Sequence, residues 1–170
     1  MKILGGTYKG IRIETKKDAS YRPTKSRTRK SLFDMISPFN FSNVLDLYSG
    51  SGILGFECIS RGANSLTFIE NNSQNVKLLF KNKTKFQNAE ILVVKKNVES
   101  FFKQSKEFYD LIFADPPYGK IDYTWLFDSC IEKLSKNGKL IVEMNNNNFS
   151  YKNCIEKVYG DSKVLLFTKL

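Results

Sequence analysis

The 170-residue chain contains no histidine. That absence removes the commonest general base, the commonest metal ligand and every Ser-His or Cys-His nucleophile pair. Cysteine is scarce: Cys58, Cys130 and Cys154 are odd in number, widely spaced and set among apolar residues. Such residues fit the reduced core of a cytoplasmic protein and offer no metal spacing, so no metal is expected. No apolar run is long enough to span a bilayer, and Met1-Lys2-Ile3-Leu4-Gly5-Gly6 does not read as a signal peptide, so no membrane partner is expected either. Acidic residues are also short, 17 against 27 Lys and Arg, which leaves a net charge of +10. With 41% hydrophobic and 14% aromatic residues, what is present is an ordinary globular composition.

The basic excess is local. Residues 1–30 hold ten Lys and Arg, including Lys9, Arg12, Arg22, Arg27 and Arg29, against Glu14 and Asp18. The remaining 140 residues carry 17 basic and 15 acidic side chains. A genome biased towards lysine and asparagine would spread its lysines evenly. An excess at one end that includes four arginines marks a contact surface for a polyanion.

The pattern divides the chain into a basic extension, 1–40, and an alternating body, 41–170. In the extension, Ile3-Leu4 and Ile11-Arg12-Ile13 flank a glycine-rich stretch and predict a β-hairpin. Thr24 predicts the N-cap of a helix through Ile36, with Leu32, Phe33 and Ile36 inward and Arg27 and Lys30 outward. Beyond it, strands are expected at Val44–Tyr48, Ser65–Glu70, Glu90–Lys95, Tyr109–Ala114 and Lys139–Glu143. Helices are expected at Ile53–Ser60, Asn72–Phe86, Val98–Lys103 and Tyr123–Leu134. The tail adds strands at Cys154–Val158 and Lys163–Thr168. Apolar strands alternating with helices imply an α/β fold with a doubly wound, mostly parallel sheet, closed by an antiparallel last strand.

Two loops carry chemistry. Gly50, Gly52 and Gly55 follow the first strand as G-x-G-x-x-G, a dinucleotide pattern that is weak alone. Asp46 sets a carboxylate beside that turn, which opposes a diphosphate and suits the ammonium and sulfonium of S-adenosylmethionine, whose own carboxylate suits the helix N-terminus. Glu70, 18 residues past Gly52, is placed to accept ribose hydroxyls. Asn97, with Val98 beside it, is placed for an adenine edge or as a helix N-cap. The second loop is Asp115-Pro116-Pro117-Tyr118. Its carboxylate, a rigid free carbonyl at Pro116 and the Tyr118 ring can grip a flat heterocycle bearing an amino group. Asp46, Glu70, Asn97 and Asp115 all fall at carboxyl ends of successive predicted strands, where open α/β sheets collect their ligands.

These residues resemble the class I S-adenosylmethionine-dependent methyltransferases of exocyclic amines, a Rossmann-like fold with a seven-stranded sheet. The segments Ile3–Gly10, Arg22-Pro23-Thr24 and Arg27–Phe33 make the chain similar to the RsmD family, the bacterial 16S rRNA (guanine-N2)-methyltransferases. The resemblance implies S-adenosylmethionine as cofactor. Its substrate would be the guanine conventionally numbered 966, presented by 16S rRNA in an assembling 30S particle, to a monomeric enzyme. Arg22, Arg27, Arg29 and Lys9 would hold the RNA. Asp115 and Pro116 would accept the N2 hydrogens, and Tyr118 would stack on the flipped base. The chain departs from the family at Ser26, usually an acid, at Lys30, usually Glu, and at Asn97, usually Asp.

Four other readings compete. An N6-adenine DNA methyltransferase shares Asp-Pro-Pro-Tyr but needs a target-recognition region. A glutamine methyltransferase would carry Asn at position 115. A nicotinamide oxidoreductase rests on the glycines alone. A non-catalytic RNA-binding assembly factor has no use for the intact carboxylates.

Overall fold

A computed structural model of the chain describes residues 1–15, 26–87, 89–117, 119 and 121–170. The elements run α1 (Ser26–Met35), β1 (Asn43–Leu47), α2 (Ile53–Ser60), β2 (Ser65–Glu70), α3 (Ser73–Lys83), β3 (Glu90–Lys95), α4 (Val98–Gln104), β4 (Tyr109–Ala114), α5 (Tyr123–Glu132), β5 (Leu134–Asn145), β6 (Cys154–Tyr159) and β7 (Ser162–Thr168). They build one seven-stranded sheet in the order β3-β2-β1-β4-β5-β7-β6. β1 to β5 are mutually parallel, and β7 inserts antiparallel between β5 and β6.

The strands are apolar on both faces because helices cover both. On one face Val44, Leu66, Phe68, Phe113 and Ile141 meet α1, α2 and α3. On the other, Leu45, Leu47, Ile112 and Val142 meet α5. Fully burying each such side chain contributes roughly 1.5–3 kcal/mol. Asp46 is the polar exception inside β1, on the face of Val44.

Helix starts follow their caps. The Asn72 side chain accepts from the Gln74 and Asn75 amides at 3.0 and 3.1 Å, so α3 begins one residue later than expected. Asp122 does the same for α5 through the Trp125 amide. β5 starts earlier than expected, at Leu134, because an irregular register between Tyr109 and Leu111 of β4 accommodates the extra residues.

The N-terminal hairpin closes around an antiparallel bridge of Lys2 with Arg12: the Ile13 amide donates to the Met1 carbonyl at 2.8 Å and the Ile3 amide to the Ile11 carbonyl at 3.0 Å. Beyond Ile3 the chain turns to Glu57 on α2. Its two oxygens take the Leu4 and Gly5 amides, both at 2.8 Å, so the ladder goes no further. At Gly6 (φ 76°) a Cβ would lie 1.7 Å from the Ser60 carbonyl, so only glycine allows this docking. α1 lies over the sheet, with Phe33 6.0 Å from Phe113 and the Ser31 hydroxyl 2.6 Å from that of Tyr159. The Thr24 cap lies outside the described residues.

Candidate active site

The carboxyl ends of the parallel strands open into a cleft of about 640 Å³, bordered by Gly50, Glu70, Asn97, Asp115, Pro116 and Glu143. Glu70 ends β2, Asp115 immediately follows β4, Asn97 lies two residues past β3, and Glu143 stands near the end of β5. The sheet order, not any local propensity, brings them together.

Glu70 is the most firmly held. It is buried at the tip of β2. Oε1 accepts from the Asn72 amide at 2.8 Å, and Oε2 accepts from the Gly50 amide at 2.9 Å and from Asn75 Nδ2 at 3.2 Å. A carboxylate offers about four acceptor sites, so room remains for a hydroxyl from the cleft.

The glycine turn is spent internally. The Gly50 amide donates to Glu70, the Gly52 amide to the Ser49 carbonyl at 2.7 Å, and the Gly55 amide to Asp46 Oδ2 at 3.0 Å. None of the three is left to cradle a phosphate, so the G-x-G-x-x-G match does not make a dinucleotide site here. Gly52 (φ 74°) does not border the cleft. A Cβ there would meet Leu79, Phe56 and Phe68 at 2.5 to 2.9 Å, so its smallness serves the core. Asp46 is likewise set beneath the cleft, 4% exposed. Burial pushes its carboxyl well above the usual range, the Gly55 amide opposes this and the Glu70 charge adds to it.

Asp115, at the end of β4, is raised well above the ordinary carboxylate range by burial, then by the charges of Glu143 and Asp46. Pro116 beside it is buried and Pro117 exposed. Val98 is buried at the cleft wall. Asn97 also borders the cleft, but its Oδ1 caps α4 by accepting from the Ser100 amide at 2.7 Å, which leaves Nδ2 as the polar group free to face a ligand. Tyr118 and Arg22 lie outside the described residues.

The basic residues divide. Lys9 and Arg27 are exposed. Arg29 is not: it is 1% exposed, donates to the Lys2 carbonyl at 2.7 Å and stands 3.8 Å from Glu57. Its expected RNA contact is therefore corrected. It is a buried strut between α1, the N-terminal segment and α2. Helical spacing places Arg29 on the inward side with Leu32 and Phe33, a signal that the basic composition of the segment masked.

Sequence reasoning missed Glu143, Tyr48 and Asn75, all at the cleft. Glu143 carried the same signal as its neighbours, a carboxylate ending a predicted strand. Tyr48 is held at φ 55° by the turn it opens, which no spacing rule reveals. Asn75 lies within α3, away from any motif, and its Oδ1 is buried without a partner.

A parallel sheet with this strand order and a reversed terminal hairpin, opening at its carboxyl ends into an acid-lined cleft, is the architecture of a class I methyltransferase. The sequence profile of the family described as "Conserved hypothetical protein 95" matches residues 1–168. The ribosomal RNA small subunit methyltransferase D of Buchnera aphidicola subsp. Baizongia pistaciae is 36% identical over 142 residues, covering 82% of this chain and 70% of that protein. The protein of the same name from Escherichia coli K12 is 32% identical over 144 residues, covering 84% and 71%. A solved structure described as the putative methyltransferase yhhF from Escherichia coli superposes with a TM-score of 0.88 at 27% identity, covering 99% of this chain and 97% of that one. The chain belongs to the small subunit methyltransferase D family.

Proposed function

We propose that the protein transfers a methyl group from S-adenosylmethionine to the exocyclic N2 of a guanine in 16S rRNA during assembly of the small subunit. The observation that carries this reading is the fixed row of Glu70, Asp115 and Glu143 along one cleft, beside glycine amides already committed within the protein. An acid-lined cleft of that kind suits a cationic sulfonium donor and disfavours a diphosphate. Glu70 would hold the ribose, with Val98 against the adenine ring and Asn97 Nδ2 at its edge. When bound, the donor supplies an electrophilic methyl carbon and leaves as a neutral thioether.

The chain's own part is positioning. Asp115 and the Pro116 carbonyl accept the two N2 hydrogens, aim the nitrogen lone pair at the methyl carbon and favour the positive charge that develops on N2, which then gives up one proton through the Asp115 carboxylate to water. No strong base is required beforehand, which suits a protein without histidine. Lys9 and Arg27 supply exposed charge for the RNA backbone. The family's name for its curated relatives supports ribosomal RNA as the substrate. The test is transfer of tritiated methyl to naked 16S rRNA, to 30S particles and to DNA. Label is expected in the first or second. Label in DNA alone would contradict the reading.

A further inference from the structure

We infer that Glu143 is the residue that selects guanine, by accepting the N1–H of the base whose N2 is held at Asp115. The inference rests on the function proposed above and gives a contact with the base to a residue that counted there only as part of the acidic lining.

The geometry comes from strand register. Ala114, the last residue of β4, pairs with Val142 of β5, so Asp115, the next residue, continues that register beside Glu143. Phe113 pairs with Ile141, and alternation puts Asp115 on the side of Phe113 and Glu143 on the side of Ile141, the same face of the sheet. Neighbouring strands lie about 4.8 Å apart. Both side chains border the same cleft, and Glu143 is 9% exposed. Their closeness is also visible in the Glu143 charge raising the Asp115 carboxyl.

Two carboxylates side by side present two acceptors. Guanine offers a matching pair of donors on one edge, N1–H and N2–H. Adenine offers an amine beside a bare N1 lone pair, which would face the Glu143 oxygens and be repelled. A flipped base is read on that edge. The same Asp-Pro-Pro loop can hold either amine, so discrimination must come from a group beside it, and among the described residues Glu143 is the acidic side chain in register with Asp115.

The test replaces the methylated guanosine, once located with the wild-type protein, by 2-aminopurine in small-subunit RNA assembled by splinted ligation. 2-Aminopurine keeps the exocyclic amine and loses the N1 hydrogen. The wild-type protein is expected to prefer guanine in kcat/KM by about 10–100-fold, the worth of one well-placed polar contact to a base. Glu143→Gln, whose amide can donate to a bare N1, is expected to shrink that ratio at least tenfold, while Glu143→Asp keeps its direction. Thermal melting and donor affinity establish that each variant is folded. A ratio unchanged in Glu143→Gln, or lost in a folded Glu143→Asp, overturns the inference. Wild-type protein that makes no N2-methylguanosine at all overturns instead the function on which it rests.

Discussion

At the scale of single residues the cleft stores an electrostatic cost. Asp46 carries a carboxyl raised well above the usual 3.8 by burial first, with Glu70 adding to it. A folded-state value above the unfolded one means that the contribution to stability is present below the unfolded value and is lost as pH rises through the folded one. Asp46→Asn keeps an acceptor for the Gly55 amide and removes the charge. Thermal melting is expected to place the variant above wild type at about pH 8 and level with it at about pH 4, with each kcal/mol worth about 2–4 °C. A lower melting temperature at both values would mean that the charge itself holds the turn. The cleft residues most legible in the sequence are those whose chemistry coincides with a strand end, such as Glu70 and Asp115. Arg29 was misread because composition says nothing about which side of a helix is covered.

At the scale of elements, Glu57 joins three of them. It is fully buried, takes the Leu4 and Gly5 amides, and bonds Arg61 at 3.0 Å while facing Arg29. Glu57→Ala leaves a buried guanidinium and two amides without their partner. Urea unfolding is expected to register a loss of about 3–5 kcal/mol. A change below about 1 kcal/mol, on the scale of a surface ion pair, would mean that the N-terminal segment is held by its apolar contacts alone. Element types were legible from apolar periodicity over the whole body. The docking of the hairpin's turn was not, because Glu57, which takes its amides, lies about fifty residues away, inside a helix that otherwise reads as apolar.

At the scale of the whole molecule, Glu70, Asp115 and Glu143 line the cleft, while the described basic residues Lys2, Lys9, Arg12 and Arg27 are exposed and do not border it. Lys2 and Arg12 face each other across the N-terminal bridge, both exposed, an arrangement that a polyanion relieves. Replacing Lys9 and Arg27 by alanine is expected to lower the slope of log K against log salt for RNA binding by about one for each phosphate no longer neutralised, with melting unchanged. Arg29→Ala should do the reverse, destabilising the fold and leaving the slope alone. An equal slope change from Arg29 would contradict its assignment as a strut. The fold could be anticipated from strand–helix alternation and a carboxyl-terminal hairpin, whereas the pairing of Asp115 with Glu143 needed the register between β4 and β5.

The central claim is that this cleft methylates an exocyclic guanine amine gripped by Asp115. Nucleoside analysis of small-subunit RNA, after incubation with labelled S-adenosylmethionine and either wild-type protein or Asp115→Asn, tests it most directly. N2-methylguanosine is expected as the labelled product of the wild type, with Asp115→Asn slower by about 100-fold or more at unchanged donor affinity. Label in another nucleoside, or an Asp115→Asn protein as fast as wild type, would contradict it.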